Sequence, residues 1–224
     1  MLLLLLFLFL MLAGFLYPAT LRAQEDEEGP DDDTLARQAQ KGDRHAFNRL
    51  VGRHQTLMYN IAYRVMGDSD RAADATQDAF VSAYKKLGQY TGGNFRAWMA
   101  RIVKNQCYDL LRYEGRRPTA SLEALMVNTG DPTPDMSQQA PERPDEAALQ
   151  AEVAGWLQKV ILQLPVDQRM TLVMADVHGY SYEEIALTME VELGTVKSRL
   201  ARARRKVREL LQTHSELLPA QYRL

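Results

Sequence analysis

One cysteine, four histidines and no charge in the first 21 residues are the scarcities of this 224-residue sequence. A lone thiol, Cys107, allows no disulfide within the chain and no thiolate cluster for a metal. His45, His54, His178 and His214 are too scattered to read as a ligand set, so no metal is expected. The sequence has no phosphate loop, zinc motif or nucleophile elbow. No acid and base pair can be located either, so the chain is not read as an enzyme, and neither cofactor nor small-molecule substrate is expected. Strand-like alternation and internal repeats are also missing, which leaves an all-α fold.

Charge is plentiful but unevenly placed. The formal net charge is -2, yet "EDEEGPDDD" (Glu25 to Asp33) alone holds seven carboxylates. With those acids and Arg22 set aside, 26 basic residues face 22 acidic ones, so the chain from Thr34 onward is mildly basic. Hydrophobic residues make up 46%, enough to build the cores of two small domains. The uncharged opening "MLLLLLFLFLMLAGFLYPATL" is long enough to span a bilayer. It fits a membrane anchor, a signal peptide without a basic start, or a start assigned too far upstream, and residues 1–33 are set apart as leader and acidic tail. The composition of the acidic run predicts disorder.

From Thr34 to Arg117 apolar residues recur at spacings of three and four, punctuated by Gly42, Asp43 and Gly67. This predicts an N-terminal helical domain, 34–117. Its helix "DRAADATQDAFVSAYKKL" is expected to bury Ala73, Phe80, Val81 and Tyr84. The next helix buries Phe95, Trp98, Met99, Ile102, Val103, Leu110 and Leu111, with "GQYTGG" as the loop between them. Residues 118–146 read as a proline-rich linker. The helical pattern resumes over 147–212, leaving a tail of 213–224.

Seven Lys or Arg and no acid lie between Lys197 and Arg208. Upstream, Ser181 and Glu184 have capping-box spacing, with Ile185, Ala186 and Met189 as the apolar face of a short helix. A turn through Val191 to Gly194 leads into a second helix. At 100° per residue Val196, Leu200, Ala203, Val207 and Leu211 form one stripe, with Ser198, Arg202 and Arg205 opposite. A short capped helix, a turn and a basic second helix make a helix-turn-helix, whose second helix enters the DNA major groove. A merely solvated surface helix is the plainer reading, but so dense a run of cations repels itself unless a polyanion is near.

"LPVDQRMTLVMADVHGYSYEEIALTMEVELGTVKSRLARARRKVREL" resembles the promoter-binding C-terminal region of bacterial extracytoplasmic-function sigma factors. The likeness rests on Leu164, Pro165 and Arg169, on "SYEEIA" (Ser181 to Ala186) and on "GTVKSRLARAR" (Gly194 to Arg204). It implies minus-thirty-five contacts by Lys197, Ser198 and Arg202, with Arg199, Arg204 and Arg205 mainly on the backbone. "AADATQDAFVSAYKKL" resembles the same family's polymerase-clamp helix. There Asp74, Gln77, Asp78 and Val81 share a face suited to a basic, partly apolar partner; an ordinary solvated acidic face is the alternative.

"YTGGNFRAWMARIVKNQCYDLLRYEGRR" resembles the minus-ten region. The resemblance implies that Lys86, Tyr90 and Asn105 receive an unstacked base, and that Arg112, Arg116 and Arg117 meet phosphates. Phe95, Trp98 and Cys107 are read as packing residues. The implied protein is a cytoplasmic initiation factor for stress-response transcription, with core RNA polymerase, promoter DNA and an anti-sigma factor as partners. Two rivals are a helix-turn-helix regulator that works without polymerase and a membrane-tethered signalling protein with its basic helix at an anionic leaflet.

Overall fold

A computed structural model describes residues 29–115 and 144–213, the first nine of the second stretch by backbone alone. The apolar leader, Arg116, Arg117, most of the linker and the tail lie outside the described residues. Among the described residues there is no strand, no helix is long and apolar enough to cross a membrane, and no cluster could hold a metal ion.

The first half consists of α1 (Asp32–Gln40), α2 (Arg44–Met66), α3 (Ser69–Lys86) and α4 (Phe95–Gly115). The second consists of α5 (Pro144–Leu162), α6 (Val166–Leu172), α7 (Tyr182–Met189) and α8 (Leu193–Thr213). Among the described residues, side chains that satisfy orphan N–H groups start five of the eight: Asp31 caps α1, Asp43 caps α2, Asp68 caps α3, Asn94 caps α4 and Ser181 caps α7. Gly67 closes α2 at φ 75°, a left-handed angle that glycine adopts without strain. A side chain there would also collide with Leu162 at the end of α5.

Three expectations need correction. The helix start is Asp32, so Asp31, Asp32 and Asp33 belong to the fold and not to a disordered tail. In α3 the buried face is Ala72, Ala75, Thr76, Ala79, Phe80 and Ala83. Ala73 is exposed and Val81 and Tyr84 are each 46% exposed. Small alanines let α3 lie close against its neighbours, and large side chains at those positions would not fit. Finally, α8 begins at Leu193, so Gly194 is inside the helix and the turn ends at Glu192.

The two halves dock and share one hydrophobic cluster running from Leu35 to Leu211. The seam follows from helix chemistry. The C-terminal carbonyls of α2 have no partner within their own helix. The second half supplies donors: Gln158 Nε2 bonds the Arg64 carbonyl at 3.1 Å, and the Arg169 guanidinium donates to the Val65 carbonyl. Arg169 also holds the carbonyls of Leu162 and Leu164 at 2.6 and 3.0 Å. The arginine of the Leu-Pro-x-x-x-Arg motif thus ties the α5–α6 corner to α2.

Candidate nucleic-acid interface

The helix-turn-helix is assembled from local signals. Ser181 Oγ accepts the Glu184 N–H at 3.1 Å, and Glu184 Oε2 accepts the Ser181 N–H at 2.6 Å, so both halves of the capping box are made. Ile185 and Met189 of α7 are buried. In α8 the stripe Val196, Leu200, Ala203, Val207 and Leu211 is buried throughout. Burying side chains of this size stabilises the unit by about 1.5–3 kcal/mol each for the larger ones, and it fixes which face of α8 looks outward.

That outward face sorts the expected minus-thirty-five residues into two kinds. Lys197, Ser198, Arg202 and Arg205 are exposed, as is Ala201 between them. Arg199 instead donates to Asp167 at 2.7 Å, and Arg204 grips Asp176 with both Nε (2.9 Å) and Nη2 (2.5 Å). A bidentate guanidinium on a mostly buried carboxylate is a structural bond. Of the exposed cations, Lys197, Arg202 and Arg205 make no ion pair among the described residues, whereas Lys206 lies 4.0 Å from Glu209 on the same helix.

The expected minus-ten residues surround the segment between α3 and α4. Lys86 is the exposed last residue of α3, and a short 3-10 turn (Leu87–Gln89) follows it. Asn105 and Arg112 are exposed on α4, Arg112 lying 3.7 Å from Asp109. Arg116 and Arg117 lie outside the described residues.

Tyr90 departs from its expected placement. It is 7% exposed, its ring lies against Phe95 and Trp98, and its hydroxyl donates to Asp33. Burial and the Asp33 carboxylate both push the phenol well above its usual range. In this conformation it is not a free stacking surface.

The residues that hold this loop were missed by sequence reasoning. Gln40 Nε2 donates to the carbonyls of Leu87 (2.9 Å) and Tyr90 (2.7 Å). Asp33 Oδ2 accepts the Gly93 N–H at 3.0 Å. Asp32 anchors the same helix through Arg53 (3.0 Å) and His54 (2.6 Å). Burial alone would raise the Asp32 pKa, but those two partners outweigh it and hold the carboxyl below its usual value. These contacts span 21 to 60 residues and leave no local pattern. The one sequence signal was Asp31 in N-cap position, hidden within a run of acids.

The α3 face carrying Asp74, Gln77, Asp78 and Val81 is exposed as a unit, with Tyr84 continuing it. Cys107 is fully buried and its thiol is pushed up to about 12, chiefly by burial, so it stays protonated and unreactive.

Comparison with known proteins matches two families, Sigma-70 region 2 over residues 50–117 and Sigma-70, region 4 over residues 154–207. The RNA polymerase sigma-H factor of Pseudomonas aeruginosa is 35% identical over 182 residues, covering 81% of this chain and 94% of its own. The ECF RNA polymerase sigma-E factor of Escherichia coli K12 is 34% identical over 186 residues, with the same two coverages, 81% and 94%. Among solved structures, CnrH in complex with the cytosolic domain of CnrY aligns with a TM-score of 0.60 at 27% identity, covering 82% of this chain and 99% of that one. The sigma factor RpoE of Bartonella quintana, solved with the anti-sigma factor NepR, shares the fold with a TM-score of 0.55 at 24% identity, over 75% of this chain and 98% of its own.

Proposed function

The chain belongs to the extracytoplasmic-function group of sigma-70 factors and directs RNA polymerase to promoters; we propose that it does so through three separate surfaces. The exposed face of α8 reads the minus-thirty-five element as duplex, with Arg202 and Lys197 at base edges or adjacent phosphates and Arg205 on the backbone. The end of α3, the 87–94 loop and the exposed polar face of α4 take the minus-ten strand once it is melted. Asp74, Gln77, Asp78 and Val81 of α3 meet core polymerase. The chain performs no catalysis of its own, since bond formation belongs to the polymerase.

The observation that carries this reading is the division of α8: one apolar stripe wholly buried, two arginines spent on internal carboxylates, and three exposed cations with no ion pair among the described residues, on a capped helix-turn-helix. A solvated surface helix needs no such division. The domain limits that follow are 34–117 with Asp31 to Asp33 added as the α1 start, and 147–212. Two weakly bound elements on one promoter sum through multivalency, so neither surface needs high affinity alone. The chain acts where chromosome and polymerase are, in the cytoplasm. The likeness to CnrH, solved with a partner's cytosolic domain, supports an anti-sigma partner for this chain too.

Run-off transcription tests the reading. Core RNA polymerase with the purified full chain should yield specific transcripts from a set of genomic promoter fragments, and polymerase alone should not. Sequence-specific DNA binding without polymerase, and no transcript with it, would instead mark a conventional helix-turn-helix regulator.

A further inference from the structure

The turn of the helix-turn-helix contains one backbone anomaly. Glu190, the residue that ends α7, has φ 58° and ψ 46°, and it is the only non-glycine residue with positive φ among the described residues. A left-handed residue at a helix end is ordinarily glycine, which has no Cβ to crowd the following carbonyl oxygen, or asparagine, whose short side chain bonds locally. Glutamate has no local reason to be there. Its side chain has a distant one: Glu190 Oε2 accepts from Lys104 Nζ at 3.2 Å, and Oε1 accepts from Arg101, both on α4 of the other half.

The two cations differ in access. Arg101 and Glu190 are about half exposed and line an open groove of about 590 Å³. The Lys104 side chain is only 7% exposed, with Glu190 its ion-pair partner. Lys104 first, then burial, then Arg101 act on the Glu190 carboxyl, and the net effect holds it below its usual range, so it is charged at neutral pH. The same seam is bonded beside it: Asn94 Nδ2 donates to Glu184, Thr188 Oγ1 donates to the Ala97 carbonyl at 3.3 Å, and the Arg96 guanidinium lies 3.9 Å over the Tyr180 ring. Every one of these α4 residues lies on or beside the helix assigned to the minus-ten strand.

We propose that Arg101 and Lys104 form a DNA-backbone site on α4, and that the Glu190 carboxylate occupies it in place of a phosphate while the two halves are docked. A carboxylate held by one guanidinium and one ammonium presents the charge and acceptor geometry of a phosphate oxygen pair. The site is therefore masked by the chain's own reading head. It opens to DNA as α7 leaves α4, so a sigma factor free of polymerase is kept from unspecific strands. The left-handed backbone at Glu190 carries a cost that glycine would avoid, and the contact with Arg101 and Lys104 is what this side chain adds in return. The proposal rests on α4 being the strand-binding face.

Glu190→Gly is the discriminating variant, because glycine suits φ 58° and the helix-turn-helix loses no local stability. Glu192→Gln is its control: Glu192 is an exposed acid two residues on that lines the same groove but pairs with neither Arg101 nor Lys104, so its loss removes the same charge and leaves the clasp itself intact. Each full-length protein is titrated by fluorescence anisotropy against a fluorescein-labelled 20-nucleotide single strand of mixed sequence, from low to moderate salt. Glu190→Gly should bind several-fold more tightly, with a log-affinity against log-salt slope steeper by about 0.7–1.4, the signature of one or two added single-strand phosphate contacts. Adding Arg101→Ala and Lys104→Ala to that variant should erase the gain. Unchanged affinity and slope, or an equal gain in Glu192→Gln, overturns the mask. Run-off transcription by the unaltered chain reports separately on the sigma assignment.

Discussion

Arg202 and Arg204 stand two residues apart on α8 and face different fates. Arg202 points outward, so Arg202→Ala should weaken binding to a minus-thirty-five duplex by about 1–3 kcal/mol if it meets a base edge, leaving the melting temperature almost unchanged. An equal loss on every DNA sequence would make it a phosphate contact. Arg204 is bonded twice to Asp176, whose side chain is only 11% exposed. Arg204→Ala should cost about 1–3 kcal/mol of stability by stranding that carboxylate, seen as a lowered melting temperature. At Tyr90 a pair of substitutions separates packing from stacking. Tyr90→Phe keeps the ring and releases it from Asp33, which still holds the Gly93 N–H, so affinity for a melted minus-ten strand should hold or rise. Tyr90→Ala should lose about 1–3 kcal/mol of it if the ring leaves its cluster to stack on a base.

At the scale of the element, α1 is a brace. Asp33 near its start and Gln40 at its end both hold the 87–94 segment, and Asp32 fixes the helix to α2 through Arg53 and His54. Gln40→Ala should remove two bonds to loop carbonyls. Faster amide hydrogen exchange at 87–93, without loss of exchange protection across α2, is the expected result. A brace of this kind also limits what can be trimmed: a deletion of the acidic run through Asp33 removes the N-cap and two anchors with it. In α8 the brace is hydrophobic. Leu200 is 2% exposed at the centre of the stripe, so Leu200→Ala should cost about 2–5 kcal/mol and abolish duplex binding by unfolding the reading head.

The whole molecule is held by a seam whose bonds have a pH limit. His178 is buried there, and burial, then Arg64 and Arg96, hold its pKa at about 3. The folded chain keeps the ring neutral, whereas in the unfolded chain it protonates near 6.5. Its contribution is therefore complete above about pH 6.5 and is lost as the pH falls toward 3. Between pH 7 and pH 5 this is about 2 kcal/mol. Melting curves over that range should show the decline, and His178→Leu should flatten it. The docked halves also change how the linker is to be understood. It joins two bodies already in contact.

The sequence by itself determined the helices and the orientation of α8, because apolar spacing, capping residues and punctuating glycines act within a few residues. It also placed Asp74, Gln77 and Asp78 together on one exposed face, although it expected Val81 beside them to be buried. It misjudged the packed face of α3, where tight helix approach selects alanine over the larger side chains that hydrophobicity alone favours. Only the tertiary structure decided which α8 arginines are free, that Asp31 to Asp33 belong to the fold, that Tyr90 is covered, and that Glu190 clasps α4. Apart from the Asp31 cap, each of those depends on partners 21 to 89 residues away, and a carboxylate or guanidinium reads the same in sequence whether its partner is a protein side chain or a strand of DNA.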